Sequence, residues 1–191
     1  MKKGEIYEGI IEKVDFPNKG YVCIDDQKVL IKNGIPGQKV RFMIQKKRSG
    51  RAQGRILEVL EKSPFETRDA VCNNFPACGG CMYQTMSYEN QLVMKETQIR
   101  ELLEEALVRG GQVDKNGQAD FDWEGIHGSP IEFGYRNKME FTFGDEVKGG
   151  ELALGLHKRN STYDIVTVNG CKIVDNDFSR ILDCVCSYFK K

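Results

Sequence analysis

Apolar and polar residues alternate in short runs through the first third of the chain. Residues that favour β-structure recur in five segments, which are separated by the turn-forming residues Gly, Pro, Asn and Asp. The segments are Ile6–Val14, Tyr21–Ile24, Lys28–Ile31, Lys39–Ile44 and Arg55–Leu60. Five short strands in so small a unit predict a closed or nearly closed β-barrel over residues 1–63.

Helical spacing of apolar residues follows in two later segments. Ser87 is a suitable N-cap, and Gly110–Gly111 would end the first helix. Its apolar positions are Leu92, Ile99, Leu102, Leu103, Ala106 and Leu107. Asp175 or Asn176 would cap the second helix. The apolar face of that helix comprises Phe178, Ile181, Leu182, Val185, Cys186 and Phe189.

Three further β-like segments lie between the two predicted helices: Tyr135–Phe143, Leu152–His157 and Tyr163–Val168. The first alternates apolar and polar residues from Met139 onward, as expected of a half-buried antiparallel strand. The fold class is therefore predicted to be α+β. We expect a β-barrel domain over residues 1–63 and a central α/β domain with an antiparallel sheet over residues 64–191.

Charge is divided unevenly along the chain, although the net charge is zero. Residues 1–63 carry 14 Lys and Arg against 8 Asp and Glu, and residues 64–191 carry 14 against 20. Between positions 39 and 55 there are seven basic residues and no acidic ones: Lys39, Arg41, Lys46, Lys47, Arg48, Arg51 and Arg55. A basic barrel favours an anionic partner, and clustered Lys and Arg bind the phosphates of nucleic acids.

The barrel therefore fits the five-stranded oligonucleotide-binding (OB) type, with a cationic hairpin tip at residues 46–51. Phe16, Tyr21 and Phe42 are candidates for stacking on bases, or for the core of the barrel. A solvated charged loop without a ligand is the alternative interpretation of the tip.

Cysteine spacing supplies the candidate metal chemistry. Cys72, Cys78 and Cys81 lie within ten residues, and Gly79–Gly80 would let the backbone curl through positive φ. Cys171 is the best candidate for a fourth ligand. Four thiolates hold either structural zinc or an iron–sulfur cluster, and spacing alone leaves both open.

The other cysteines fit packing better than metal binding. Cys23 lies in an apolar alternation, and Cys184 and Cys186 lie two residues apart on the predicted second helix, where they project from different faces. No signal peptide is evident, and every apolar run is too short to span a bilayer. Seven cysteines without an export signal favour reduced thiols, so we expect a cytoplasmic monomer that does not contact membranes.

A second basic group follows the predicted strands of the central domain. Arg136, Lys138, His157 and Arg159 could form another nucleic-acid-contacting surface that positions phosphates without reading bases. Exposed charges on solvated strands are the alternative.

Several of these segments together resemble a known family. The basic barrel resembles a TRAM domain. The cysteines at 72, 78, 81 and 171 resemble the iron–sulfur motif of TRAM-containing RNA (uracil-5-)-methyltransferases. Gly134–Phe141 and Leu154–Arg159 are similar to segments of the central domain of that family.

The resemblance implies a 4Fe-4S cluster held by Cys72, Cys78, Cys81 and Cys171. Because such a cluster would close the long loop between Cys81 and Cys171, we expect its role to be structural. The resemblance also implies methyl transfer from S-adenosylmethionine to C5 of a uridine in rRNA or tRNA. In that family the S-adenosylmethionine-binding domain, the nucleophilic cysteine and the general base lie C-terminal to the segments seen here. We therefore expect no catalytic residue in these 191 residues and no activity from the chain alone.

Two other classes of function fit the same residues. One is a stand-alone RNA-binding protein that is stabilised by a metal or cluster and has no catalytic activity. The other is a redox-sensing cluster protein, for which the four cysteines are the only support.

Overall fold

A computed structural model describes residues 1–48 and 50–191, and this part of the chain packs as two compact units. The first unit comprises residues 1–67 and 86–127, and the second comprises residues 68–85 and 128–191. The domain boundary expected at residue 63 stays a prediction. The first helix groups with the N-terminal sheet in this division.

Within the described residues, the first unit contains a six-stranded sheet. Its strands are β1 (Ile6–Ile10), β2 (Lys13–Asp15), β3 (Lys19–Ile24), β4 (Gln27–Lys32), β5 (Lys39–Arg48) and β6 (Arg51–Glu61). The strand order is β1-β5-β6-β4-β3-β2, and all pairs are antiparallel except β4–β6, which is parallel. The tip predicted at residues 46–51 includes Ser49, which lies outside the described residues.

The prediction of a closed or nearly closed five-stranded OB-like barrel is corrected in two respects. The first predicted strand is two strands, because its hydrogen-bonding partner changes after Ile10. The amide of Ile11 donates to the carbonyl of Gln38, whereas that of Glu12 donates to the carbonyl of Tyr21. β1 and β2 are therefore consecutive and lie at opposite ends of the strand order, so in the described part of the chain the sheet is not closed by pairing between them.

The core of the first unit follows from strand alternation, which puts every second side chain on one face. Val40, Phe42 and Ile44 of β5 are fully buried and pack with residues of β3 and β4. Gly54 lets β6 approach this core, since a Cβ there would lie 2.7 Å from side-chain atoms of both Ile31 and Phe42. The burial of Phe42 excludes it from base stacking.

Helix α1 (Tyr88–Arg109) begins and ends as predicted. The Ser87 hydroxyl accepts a hydrogen bond from the Asn90 amide at 3.2 Å, and Gly110 caps the C-terminus. The predicted apolar face is only partly used, because Leu102 and Leu103 remain about two-fifths exposed. The helix instead buries Gln98, whose Nε2 donates to the Val14 carbonyl at 2.7 Å.

In the described part of the second unit, three antiparallel strands are followed by a helix: β7 (Thr142–Asp145), β8 (Leu152–His157), β9 (Ile165–Thr167) and α2 (Asn176–Phe189). The strand predicted over Tyr135–Phe143 begins only at Thr142. Residues before it run beside the segment that precedes α2, where the Arg136 amide donates to the Ile173 carbonyl at 2.9 Å. The chain around Arg136 therefore forms its backbone hydrogen bond outside the sheet.

Asp175 caps α2 by accepting from the Asp177 amide at 2.9 Å. Leu182 and Cys186 are buried with Leu154 and Val168, so the packing role predicted for Cys186 is confirmed. The same prediction is wrong for two other thiols, because Cys23 and Cys184 are exposed. Neither helix among residues 1–48 and 50–191 has the length and apolar character needed to cross a membrane.

Candidate metal centre and nucleic-acid interface

The four predicted cysteine ligands meet at one place in the second unit. Cys72, Cys78, Cys81 and Cys171 all line a single small cavity. The remainder of its lining is mostly apolar and consists of Phe75, Gly80, Leu156, Val168 and Ile173. Residues 72–81, here called the cysteine loop, are thus brought to a thiol that lies far away in sequence.

Backbone contacts shape the cysteine loop and hold it against β8. The Cys78 amide donates to the Asn74 carbonyl at 2.8 Å, which curls the loop, and the Gly79 amide donates to the His157 carbonyl at 2.9 Å. The expectation of positive φ at Gly79–Gly80 is wrong. Glycine is needed for close approach instead, because a Cβ on Gly79 would lie 2.9 Å from the His157 carbonyl oxygen.

Positive φ occurs on the other side of the centre. Gly170 has a φ of +66°, a conformation that glycine adopts without steric cost, and it directly precedes Cys171. The turn at Gly170 therefore leads the chain from β9 to the remote cysteine.

Burial and mutual repulsion both act on the thiols. Burial is the main cause that raises the pKa of Cys78, and the neighbouring Cys81, Cys72 and Cys171 raise it further. Burial also raises the pKa of Cys81, against the opposing effects of a hydrogen bond with Gln84 and the charge of Arg159. A metal group that binds here must displace protons from these thiols.

The donor set consists of sulfur alone. Four cysteine thiolates are the usual ligands of an iron–sulfur cluster, and they also suit zinc. Among the described residues, no group of three or more His, Cys, Asp or Glu is arranged to hold a single metal ion.

Arg159 contacts the cysteine loop. Its Nε donates to the Pro76 carbonyl at 2.8 Å, and its Nη2 donates to the Cys81 carbonyl. The guanidinium carbon lies 5.3 Å from the centroid of the Phe75 ring. Burial lowers the pKa of Arg159, while Cys78 and Cys81 oppose that effect.

The other residues of the predicted second RNA surface are exposed. Arg136 and Lys138 line a cavity together with Gly79 and Gly80. Lys138 also forms a 3.2 Å ion pair with Glu140, whose side chain is exposed. His157 is exposed at the end of β8, where its carbonyl holds the Gly79 amide.

A third cavity lies in the first unit and is strongly basic. We call it the cationic groove. It is lined by Lys19, Tyr21, Lys28, Leu30, Lys46, Arg48, Arg51, Ala52 and Gln53. These described lining residues include five Lys or Arg and no Asp or Glu.

Only some of the seven basic residues predicted to bind RNA line the cationic groove. Lys46, Arg48 and Arg51 line it. Lys39 and Arg41 instead pair with carboxylates: Lys39 Nζ lies 2.8 Å from Glu61, and Arg41 lies 2.8 Å from Glu8 and 2.6 Å from Glu58.

Lys47 and Arg55, which complete the set of seven, also lie outside the groove lining. Lys47 Nζ donates to the Met1 carbonyl at 3.2 Å, and Arg55 is half-buried on β6.

Lys19 and Lys28 were not among the basic residues that the sequence predicted to bind RNA. The sequence pattern that could have identified them is their alternation with Tyr21 on β3 and Leu30 on β4. This alternation places the four side chains on one face of the sheet. The parallel pairing of β4 with β6 sets Leu30 beside Gln53, and this joins them to the β5–β6 residues. That long-range pairing has no local sequence signal.

The chain is similar to several known proteins along nearly its whole length. No protein-family model matches it. A Clostridium tetani protein named "uncharacterized RNA methyltransferase" is 44% identical over 191 residues, which are 100% of this chain and 40% of that protein. A protein of Caldanaerobacter subterraneus with a similar name is 43% identical over 188 residues, 98% of this chain and 39% of its own length.

A solved structure shares the fold. The tRNA (uracil-54, C5)-methyltransferase of Pyrococcus abyssi, in complex with S-adenosyl-L-homocysteine, matches with a TM-score of 0.60 and 17% identity, over 96% of this chain and 36% of that one. The chain thus spans about two-fifths of the curated relatives that it matches. It is similar along its whole length to part of proteins named as RNA methyltransferases, and it shares its fold with part of a tRNA methyltransferase.

Proposed function

We propose that this chain is the RNA-binding and cluster-binding N-terminal part of an S-adenosylmethionine-dependent methyltransferase that modifies C5 of uridine in rRNA or tRNA. The identity of 44% over the whole chain to a protein named as an RNA methyltransferase supports the general class. The resemblance in the cysteine motif, and the reaction named for the structural neighbour, support uridine C5 as the target. The chain is expected to act in the cytoplasm as a monomer.

The lining of the cationic groove is the main support for RNA binding. Its lining combines five cations with the ring of Tyr21, and the described residues that line it include no carboxylate. Cations neutralise phosphates, and an aromatic ring lets a base stack without regard to its sequence.

Like charges also oppose one another across the strands that form the groove. Arg48 stands opposite Arg51, whereas Lys19 lies between Lys32 of β4 and Asp15 of β2. Like-charged pairs such as Arg48 and Arg51 destabilise a sheet, and a bound anion would relieve the repulsion. This arrangement favours a phosphate-binding surface over a merely solvated loop.

The four cysteines are proposed to hold a 4Fe-4S cluster. The cavity brings all four thiols together and supplies no competing oxygen ligand among its described lining residues. Each thiolate of such a cluster binds a different iron, so the sulfurs stand farther apart than around one ion. When bound, the cluster crosslinks the cysteine loop to the segment that follows β9.

The catalytic step is assigned to a part of the protein beyond these residues. S-adenosylmethionine, the nucleophilic cysteine and the general base would all belong to that part. The chain described here would position RNA through the groove and through the exposed Arg136, Lys138 and His157 near the cysteine loop.

RNA binding is tested with the purified chain and a labelled single-stranded RNA, by fluorescence anisotropy over a range of salt concentrations. The triple variant K46Q/R48Q/R51Q should bind at least tenfold more weakly, and its salt dependence should fall by about 0.7 per lost phosphate contact. The control K3Q/K95Q/K115Q removes the same charge from exposed positions of the same unit and should bind nearly as well. Equal losses in both variants would contradict a groove-specific site.

The reaction is tested with a full-length protein that contains this chain. RNA labelled with tritium at uridine C5 should release tritium when S-adenosylmethionine is added, because methylation at C5 removes that hydrogen. Methyl transfer without tritium release would exclude C5 and leave the general RNA methyltransferase class.

A further inference from the structure

One arginine spans most of the cysteine loop. Arg159 follows β8, and its own amide donates to the Ala77 carbonyl at 2.7 Å. Its side chain bonds to the carbonyls of Pro76 and Cys81 and lies over the ring of Phe75. These contacts reach from the middle of the loop to its last cysteine.

The two carbonyls flank two of the candidate ligands. Pro76 lies two residues before Cys78, and the other carbonyl belongs to Cys81 itself. A guanidinium group has donors fixed in one plane, so it can hold two acceptors at a set separation. The guanidinium group of Arg159 therefore sets the distance between the carbonyls of Pro76 and Cys81, and the segment between them carries both thiols.

Charge favours the same arrangement. Arg159 is half-buried, and its electrostatic neighbours include Cys78 and Cys81. When the four cysteines bind a metal group as thiolates, the thiolates repel each other, and a nearby cation offsets that repulsion.

We propose that Arg159 is a positioning residue that holds the cysteine loop in its ligand-presenting shape before any metal group binds. The inference rests on the cysteine centre of the proposed function. It assigns to Arg159 a role toward the loop and not toward RNA.

The test uses amide hydrogen exchange of the reduced, metal-free chain, followed peptide by peptide. In the variant R159M, exchange in residues 72–81 should accelerate roughly ten- to hundredfold, while β7–β9 and the first unit keep their protection. R159K keeps the charge but loses the planar pair of donors, so it should recover only part of the protection. K172M removes an exposed cation next to Cys171 and should leave the loop unchanged.

Three results would overturn the proposal: an unprotected loop in the wild-type metal-free chain, equal acceleration throughout the second unit of R159M, or complete recovery in R159K. Iron uptake gives a separate readout. After reconstitution with iron and sulfide, R159M should lose its visible absorption to a chelator about tenfold faster than the wild type. If the wild type takes up no iron, the cluster proposal fails, while the exchange comparison still decides the role of Arg159.

Discussion

Arg48 and Arg51 stand directly opposite each other where β5 and β6 meet, in a basic groove whose described lining residues include no acidic side chain. Such a pair costs stability in the free protein and becomes favourable when a polyanion binds.

The variant R51Q should therefore change stability and binding in opposite directions. Removal of one charge relieves the repulsion with Arg48 and should raise the free energy of unfolding by about 0.5 kcal/mol. RNA binding should weaken severalfold, because a phosphate contact is lost. Urea denaturation and fluorescence anisotropy measure the two effects.

K39Q provides the contrast for R51Q. Lys39 pairs with Glu61 at 2.8 Å outside the groove lining, so its replacement should slightly lower the denaturation midpoint and leave RNA affinity nearly unchanged. Loss of affinity in K39Q equal to that in R51Q would show that total charge decides binding.

Replacement of Cys78 by Ser should remove the visible absorption of the metal-loaded chain and destabilise the second unit, while the first unit stays folded. A group that binds only the native state stabilises it by mass action, on the order of 4 kcal/mol when the free ligand exceeds Kd a thousandfold. Absorption spectra with thermal unfolding measure this loss. The control C184S alters an exposed thiol on α2 and should keep colour and stability. A colourless but fully stable C78S protein would exclude the structural role.

The variant G79A should disrupt docking of the cysteine loop. Its Cβ would lie 2.9 Å from the backbone oxygen of His157, which cannot move without disturbing β8. We expect a loss of about 1–3 kcal/mol in the second unit, and lower iron uptake.

G80A is the matched control for G79A, because its Cβ would meet only the flexible end of Leu156 at 3.0 Å and the Cys78 sulfur at 3.5 Å. Chemical denaturation compares the two. An equal cost in both variants would mean that loop entropy matters more than the close approach.

Lys13 of β2 forms a 2.8 Å ion pair with Glu101 of α1 and a 3.2 Å pair with Asp15. The hydrogen bond with Glu101 is the main cause that raises the pKa of Lys13. A raised folded pKa means that the contribution is complete below the unperturbed value of about 10.4 and is lost as pH rises through the folded value above it.

A double-mutant cycle of K13M and E101Q should therefore give a coupling of about 0.5 kcal/mol at pH 7, as expected of a half-exposed pair. The coupling should vanish in strongly alkaline solution. A coupling that persists there would have to come from packing of the two side chains.

Local sequence patterns determined much of the secondary structure of this protein and pointed to its cysteine site. Ser87 and Gly110 cap the two ends of α1 as predicted, since capping depends on residues within one turn. The alternation of Val40, Phe42 and Ile44 determined which face of β5 is buried, because strand geometry has a period of two. The spacing of Cys72, Cys78 and Cys81 pointed to three of the thiols that meet in one cavity, while Cys171 was the candidate for the fourth.

Only the tertiary structure decided how distant segments meet. The parallel pairing of β4 with β6 brings Lys28 to Arg51, and the contacts of Arg159 with Pro76 and Cys81 direct it to the cysteine loop. It also decided that Cys184 is exposed although it lies on an amphipathic helix. Periodicity reports which face of an element is apolar, whereas the partner of that face is selected by packing and hydrogen bonding across the whole unit.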